Sequence, residues 1–119
     1  MNQKLLLDTN SLMYSIKNKM DIRMALLSIP LTFEILIPKC VIDELAGLSK
    51  TYWYARAALE YGKNFNIIES YGTGDNCILN MAIKLKCFVL TNDRGLINRL
   101  RSKNIKILMI SNGKSIVMK

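Results

Sequence analysis

The chain has 119 residues, half of them hydrophobic, and a formal charge of +8 from seventeen Lys and Arg against nine Asp and Glu. That is enough apolar material for one compact domain over residues 1–119 without staples, and the absence of histidine excludes imidazole-ligated zinc and Ser-His or Cys-His nucleophiles. No run approaches the roughly 18 apolar residues of a membrane span, and Met1–Lys4 followed by three leucines is too short for a secretory signal. The expectation is therefore a soluble, cytoplasmic protein without a membrane partner, its cysteines Cys40, Cys77 and Cys87 buried and reduced.

Lys4–Leu7 reads as a short buried strand. Asp8-Thr9-Asn10-Ser11 is turn and capping chemistry, with Ser11 or Asn10 expected to cap a helix from Leu12 to about Lys17. Asp21–Ser28 is a second helix capped by Asp21, and Glu34–Ile37 a strand stopped by Pro38, which has no amide hydrogen for a ladder. From about Cys40 to Ser49 a helix puts Val41, Leu45 and Leu48 on one stripe; Glu44 borders it and Asp43 points away. Tyr52–Tyr61 is a further helix and Asn66–Glu69 a strand. After Gly72-Thr73-Gly74, Asp75–Leu85 forms a helix with Ile78, Leu79, Ala82 and Ile83 as its apolar face and Asp75 at that face's rim. Phe88–Leu90 is a strand, Leu96–Ser102 a helix and Lys106–Ile110 a strand, with Ser115–Met118 as a candidate edge. Strands alternating with helices at this spacing imply a three-layer α/β/α domain around a parallel sheet of about five strands, with right-handed crossovers.

Four scarce acids fall at element boundaries. Asp8 and Asp93 follow apolar strands, whereas Glu44 and Asp75 lie in the first turns of helices. In an open α/β sheet these positions share one edge. Each acid has an ordinary explanation as a cap or turn residue, but those explanations do not predict convergence. Carboxylates gathered on one edge repel one another unless a cation neutralises them, and an all-oxygen set suits Mg²⁺ or Mn²⁺. One or two such ions can activate water and clamp a phosphate. Asn10, Thr91 and Asn92 are neutral groups suited to orienting waters, or simply turn residues.

The charge is lopsided: residues 1–60 net +1 and residues 61–119 net +7. Arg94, Arg99, Arg101, Lys103 and Lys106 form the densest patch, directly after Asp93, and read either as a solvated face or as a grip on a polyanion. Tyr52-Trp53-Tyr54 can stack unpaired bases; packing or a homodimer contact through Tyr52–Tyr61 is the favoured expectation.

The segments Leu7-Asp8-Thr9-Asn10, Pro38 with Val41-Ile42-Asp43-Glu44-Leu45, Asp75-Asn76-Cys77-Ile78 and Thr91-Asn92-Asp93-Arg94-Gly95-Leu96 together resemble the PIN domain, in the same order and over essentially the whole chain. The likeness is to single-domain archaeal-type members akin to those of ribosomal RNA processing, and is less close to VapC-like toxins. It implies a metal-dependent ribonuclease, with Asp8, Glu44, Asp75 and Asp93 as both catalytic and metal-binding quartet and Asn10 in support. Relatives often carry a second aspartate where Asn76 stands, which puts metal stoichiometry in question. RNA is then the substrate, held by the basic patch, and a partner protein is compatible with this reading. Two alternatives stay open: the toxin of a toxin–antitoxin pair, and a PIN-like scaffold that binds RNA without cutting.

Overall fold

The computed structural model describes residues 2–119. In chain order the elements are β1 (Gln3–Leu7), α1 (Thr9–Lys17), α2 (Ile22–Leu26), β2 (Phe33–Pro38), α3 (Lys39–Leu48), α4 (Trp53–Gly62), β3 (Asn66–Ile68), α5 (Gly74–Leu85), β4 (Phe88–Leu90), α6 (Arg94–Arg101), β5 (Ile107–Ser111) and β6 (Ser115–Met118). They build one six-stranded sheet in the order β3-β2-β1-β4-β5-β6. The five expected strands are parallel, and Ser115–Met118 adds a sixth, antiparallel strand beside β5. The outermost strands, β3 and β6, are three and four residues long.

Central strands covered on both faces need no polar alternation. Leu5, Leu6 and Leu7 of β1 are accordingly all fully buried, as are Val89 and Leu90 of β4. Truncating any of these leucines to alanine removes about 2–5 kcal/mol. Buried faces of the helices complete the core: Leu12 from α1, Val41 and Leu45 from α3, Ala55 and Ala58 from α4, Leu96, Ile97 and Leu100 from α6.

The structure departs from the sequence expectation in several places. The cap of α1 is Asp8, whose side chain accepts from the Ser11 amide; neither Ser11 nor Asn10 takes that role, and the helix starts earlier, at Thr9. Pro38 is the last residue of β2 and also the cap residue of α3, where it offers no side-chain hydrogen bond. The Cys40 amide donates instead to Ser70 Oγ at 3.0 Å. The buried stripe of α5 is Cys77, Ile78, Met81 and Ala82, while Ile83 turns outward. Trp53, the first residue of α4, and its cap residue Tyr52 are exposed, as a contact surface would be, with Tyr52 stacked on Tyr54 at 5.2 Å between centroids.

The largest correction concerns the thiols. Cys40 and Cys77 form a disulfide, and only Cys87 is free. The cause is architectural. The N-terminal turns of α3 and α5 lie side by side at one edge of the sheet, which brings residues 37 apart in sequence to a Cα separation of 6.8 Å, within bridging range. Cys87 is buried, and desolvation pushes its thiol up to about 11. Among the described residues, no helix is long and apolar enough to cross a membrane.

Candidate active site

Strand order places a switch point between β1 and β4. From β1 the chain continues toward β2 on one side, and from β4 toward β5 on the other. The crevice beyond the carboxyl ends of two such strands is where open α/β sheets bind ligands. Leu7 of β1 pairs with Leu90 of β4, so the next residues, Asp8 and Thr91, emerge as neighbours. Thr91 Oγ1 donates to Asp8 Oδ2 at 2.5 Å and accepts from the Asp93 amide at 3.1 Å. One threonine hydroxyl thus joins the two strand-end acids.

Each acid arrives by a different local device. Asp8 Oδ1 accepts from the Ser11 amide at 2.8 Å, and Ser11 Oγ donates to Leu90 carbonyl oxygen at 3.0 Å. Asp93 caps α6, its Oδ1 accepting from the Leu96 amide at 2.9 Å. A side chain at Gly95 would place its Cβ only 3.3 Å from that oxygen, so glycine there keeps the acid uncrowded. Asp75 is delivered by Gly72 and Gly74, at φ +87° and +56°, backbone that a Cβ disfavours. It is not the cap of its helix; Thr73 stands in that position. Glu44 is held by a residue that sequence reasoning passed over: Thr9 Oγ1 donates to Glu44 Oε1 at 2.5 Å. Thr9 shows no periodicity signal, and its place between an acid and Asn10 was the sole hint.

Asp8, Glu44, Asp75 and Asp93 line one cavity of about 70 Å³, together with Thr9, Asn10, Cys40, Val41, Gly74 and Ile78. Asp43, which pairs with Lys39, lies outside it. The only ion pairs among the described residues are Lys39–Asp43 and Lys63–Glu60, so none of the four is neutralised by a salt bridge. Burial, with a smaller contribution from neighbouring charge, raises the proton affinity of two of them, Asp8 and Asp75. Burial holds the Asp8 carboxyl above its ordinary value, against the pull of its hydrogen bonds, and the charge of Asp93 adds to that rise. Asp75 is raised as well, first by desolvation and then by Asp93 and Glu44, with Arg99 opposing. Among the described residues, no three acidic or thiol groups close to metal-ligating distances; the carboxylates face a shared space without converging on a point.

Over residues 5–112 the chain matches the family described as PIN like domain. This protein belongs to that family. The rRNA-processing protein FCF1 of Saccharomyces cerevisiae is 33% identical over 105 residues, covering 82% of this chain and 54% of the yeast protein, so the chain spans about half of that relative. Ribonuclease VapC9 of Archaeoglobus fulgidus is 30% identical over 114 residues, 92% of this chain and 84% of the relative. The structure of the PIN domain endonuclease Utp24 superposes with a TM-score of 0.83 at 28% identity, over 98% of this chain and 90% of that one.

The remaining candidate residues of this PIN-like chain divide in space. Asn10 lines the carboxylate cavity and also a neighbouring one of about 230 Å³, shared with Ser11, Tyr14, Asn92, Asp93 and Ile110. Asn92, expected to orient water, has its amide engaged with the Ile110 backbone in both directions at 2.9 Å; it ties the end of β4 to β5. Asn76 accepts from Arg99 Nη2 at 2.6 Å. The basic run does not stay together. Arg94 opens α6 beside Asp93 and Arg99 reaches α5, but α6 runs back along the sheet, with Arg101 at its far end. Lys103 and Lys106 then line a cavity with Lys86 at the strand-start edge, where Lys106 Nζ stands 5.7 Å from the Phe88 ring centroid.

The donor set fits a hard divalent cation. It offers carboxylate oxygens, a threonine hydroxyl and an amide, in a space that holds about two water-sized groups. Burial raises the Asp8 and Asp75 carboxyls, and neither is in an ion pair.

Proposed function

We propose that this PIN-like protein is a Mg²⁺- or Mn²⁺-dependent endoribonuclease that hydrolyses RNA phosphodiester bonds, with processing of structured, ribosomal-type RNA as its setting. The observation that carries this reading is the convergence of four acids from four separate segments on one cavity at the sheet's switch point, none in an ion pair. Similarity to a ribonuclease and to an rRNA-processing protein supports it.

Asp8 and Asp93 would hold the principal cation, and Glu44 and Asp75 a second ion or the waters around the first. When bound, the cation supplies the positive charge that eases water ionisation and stabilises charge building on the phosphate. The chain's own groups do the arranging. Thr91 fixes Asp8 and Asp93 relative to each other, and Thr9 fixes the Glu44 rotamer. Asn10 presents an amide at the junction of the two cavities. Arg94 and Arg99, on the helix that starts at Asp93, would hold the RNA backbone close to the acids; the more distant Lys103 and Lys106 would attract a polyanion without touching the cut site.

Two measurements test this. Structured RNA should be cut in Mn²⁺ or Mg²⁺ and left intact in chelator; cutting that persists in chelator overturns the reading. Independently of activity, the same ions should raise the melting temperature. A cation at a hundred times its Kd stabilises the fold by about 2.7 kcal/mol, on the order of 10 °C for a chain this size. Asp93→Asn should lose most of that shift, and an equal shift in the variant would remove Asp93 from the cation site.

A further inference from the structure

We infer that Asn76 is a positioning residue: it holds the Arg99 guanidinium at the rim of the carboxylate cavity, charged and available, as a fork for the RNA phosphate next to the one being cut. The inference deepens the nuclease reading and rests on it.

Three observations converge. Arg99 Nη2 donates to Asn76 Oδ1 at 2.6 Å, a side-chain bridge between α6 and α5 across 23 positions of sequence. Asn76 directly follows Asp75 in the first turn of α5, so the bridge fixes the guanidinium next to a cavity acid. Arg99 is exposed and forms no ion pair among the described residues.

The choice of an amide at position 76 then has a chemical meaning. A guanidinium has five N–H donors in a rigid fork. An amide oxygen occupies one of them and removes no charge. The others remain for the two-toothed contact that guanidinium makes with phosphate. A carboxylate at this position would hold the same arginine in an ion pair, neutralise it and close the fork. Asn76 therefore secures the arginine without spending its charge. A further acid beside Asp75 would also deepen the repulsion in the cavity, which the amide avoids.

The test is a double-substitution cycle on the full chain, reading binding of a fluorescent single-stranded oligoribonucleotide in chelator, so that no cutting intervenes. Arg99→Ala should weaken binding about 5–10-fold and flatten the plot of log affinity against log salt by about 0.7, one phosphate contact's worth on a single strand. Arg99→Lys should keep the salt slope and recover only part of the affinity. Asn76→Ala should weaken binding about two- to threefold at unchanged slope, and should have no further effect in the Arg99→Ala background. Asn76→Asp separates positioning from mere structure. It should raise or preserve the melting temperature, because an ion pair replaces a neutral bridge, yet weaken RNA binding and raise KM as much as Arg99→Ala does. Additive effects of Asn76→Ala and Arg99→Ala, or wild-type binding and KM in Asn76→Asp, would overturn the inference. Absence of metal-dependent cutting by the wild type would instead defeat the nuclease reading, while the binding cycle would still decide the role of Asn76.

Discussion

Asp8→Asn is expected to cut RNA about 10²–10³-fold more slowly than the parent, or not measurably, while melting at a higher temperature in the absence of divalent cations. The first half follows from the proposed role of Asp8, which would hold the cation that stabilises charge at the reacting phosphate. The second follows from burial. Asp8 is only 7% exposed, has no cationic partner, and burial together with Asp93 lifts its carboxyl above the ordinary value near 3.8. The folded state therefore binds that proton more tightly than the unfolded chain. The associated stability is fully present below the ordinary carboxylate value and is lost as pH rises through the raised folded one. Above that raised value the ionised side chain is a liability that asparagine removes. Asparagine can still cap α1 through its amide oxygen, and Thr91 Oγ1 can turn from donor to acceptor. Each kcal/mol recovered moves the melting temperature by about 4 °C. Calorimetry of both proteins with chelator, from pH 4 to 8, reads the effect: the gap should widen with pH and vanish at the acid end. A variant that melts lower than the parent at pH 7.5 would show that Asp8 is a structural acid rather than one poised for a cation. RNA binding should survive or strengthen, since a negative charge has gone.

The second large effect lies in the Cys40–Cys77 bond. Closing a loop of 37 residues restricts the unfolded chain by about 3–4 kcal/mol in the loop-entropy picture. Reduction, or Cys40→Ser with Cys77→Ser, should then lower the melting temperature by on the order of 10–15 °C. The effect should also reach the site. Glu44 lies one helical turn beyond Cys40, and Asp75 two residues before Cys77, so the bond holds together the two helix-borne acids. Their cation affinity should fall in the reduced protein more than that of a site built only from Asp8 and Asp93. Thiol titration in denaturant is the first check: one reactive thiol before reduction and three after. Three thiols in the untreated protein would remove the bond from the account.

Much of this fold is legible in the sequence because its signals are local. Apolar triplets ending in Asp, helical stripes such as Val41 with Leu45, and glycine breaks at 72 and 74 each report their own element. The alternation of strand and helix then leaves few topologies. Asp8, Glu44, Asp75 and Asp93 could be assigned to one edge for the same reason, since the edge is a property of the topology. What escaped was non-local or chemically degenerate. Asp8, Asn10 and Ser11 are all good helix caps, and only the register of β1 against β4 selects the first. The disulfide has no spacing signature, because it depends on how α3 and α5 lie over the sheet. The run from Arg94 to Lys106 is continuous in sequence and split in space, since the eight residues of α6 carry the chain about 12 Å away from the acids. Thr9 was hidden for a related reason: its partner, Glu44, is 35 residues away.

The brevity of the flanking strands has a bearing on how the protein behaves when crowded. With three residues in β3 and four in β6, neither flank exposes a row of unpaired amides long enough to template another chain. Concentrated solutions should resist fibre growth by strand addition even though half the residues are apolar. Self-association of this molecule is therefore expected through surfaces other than its strand edges.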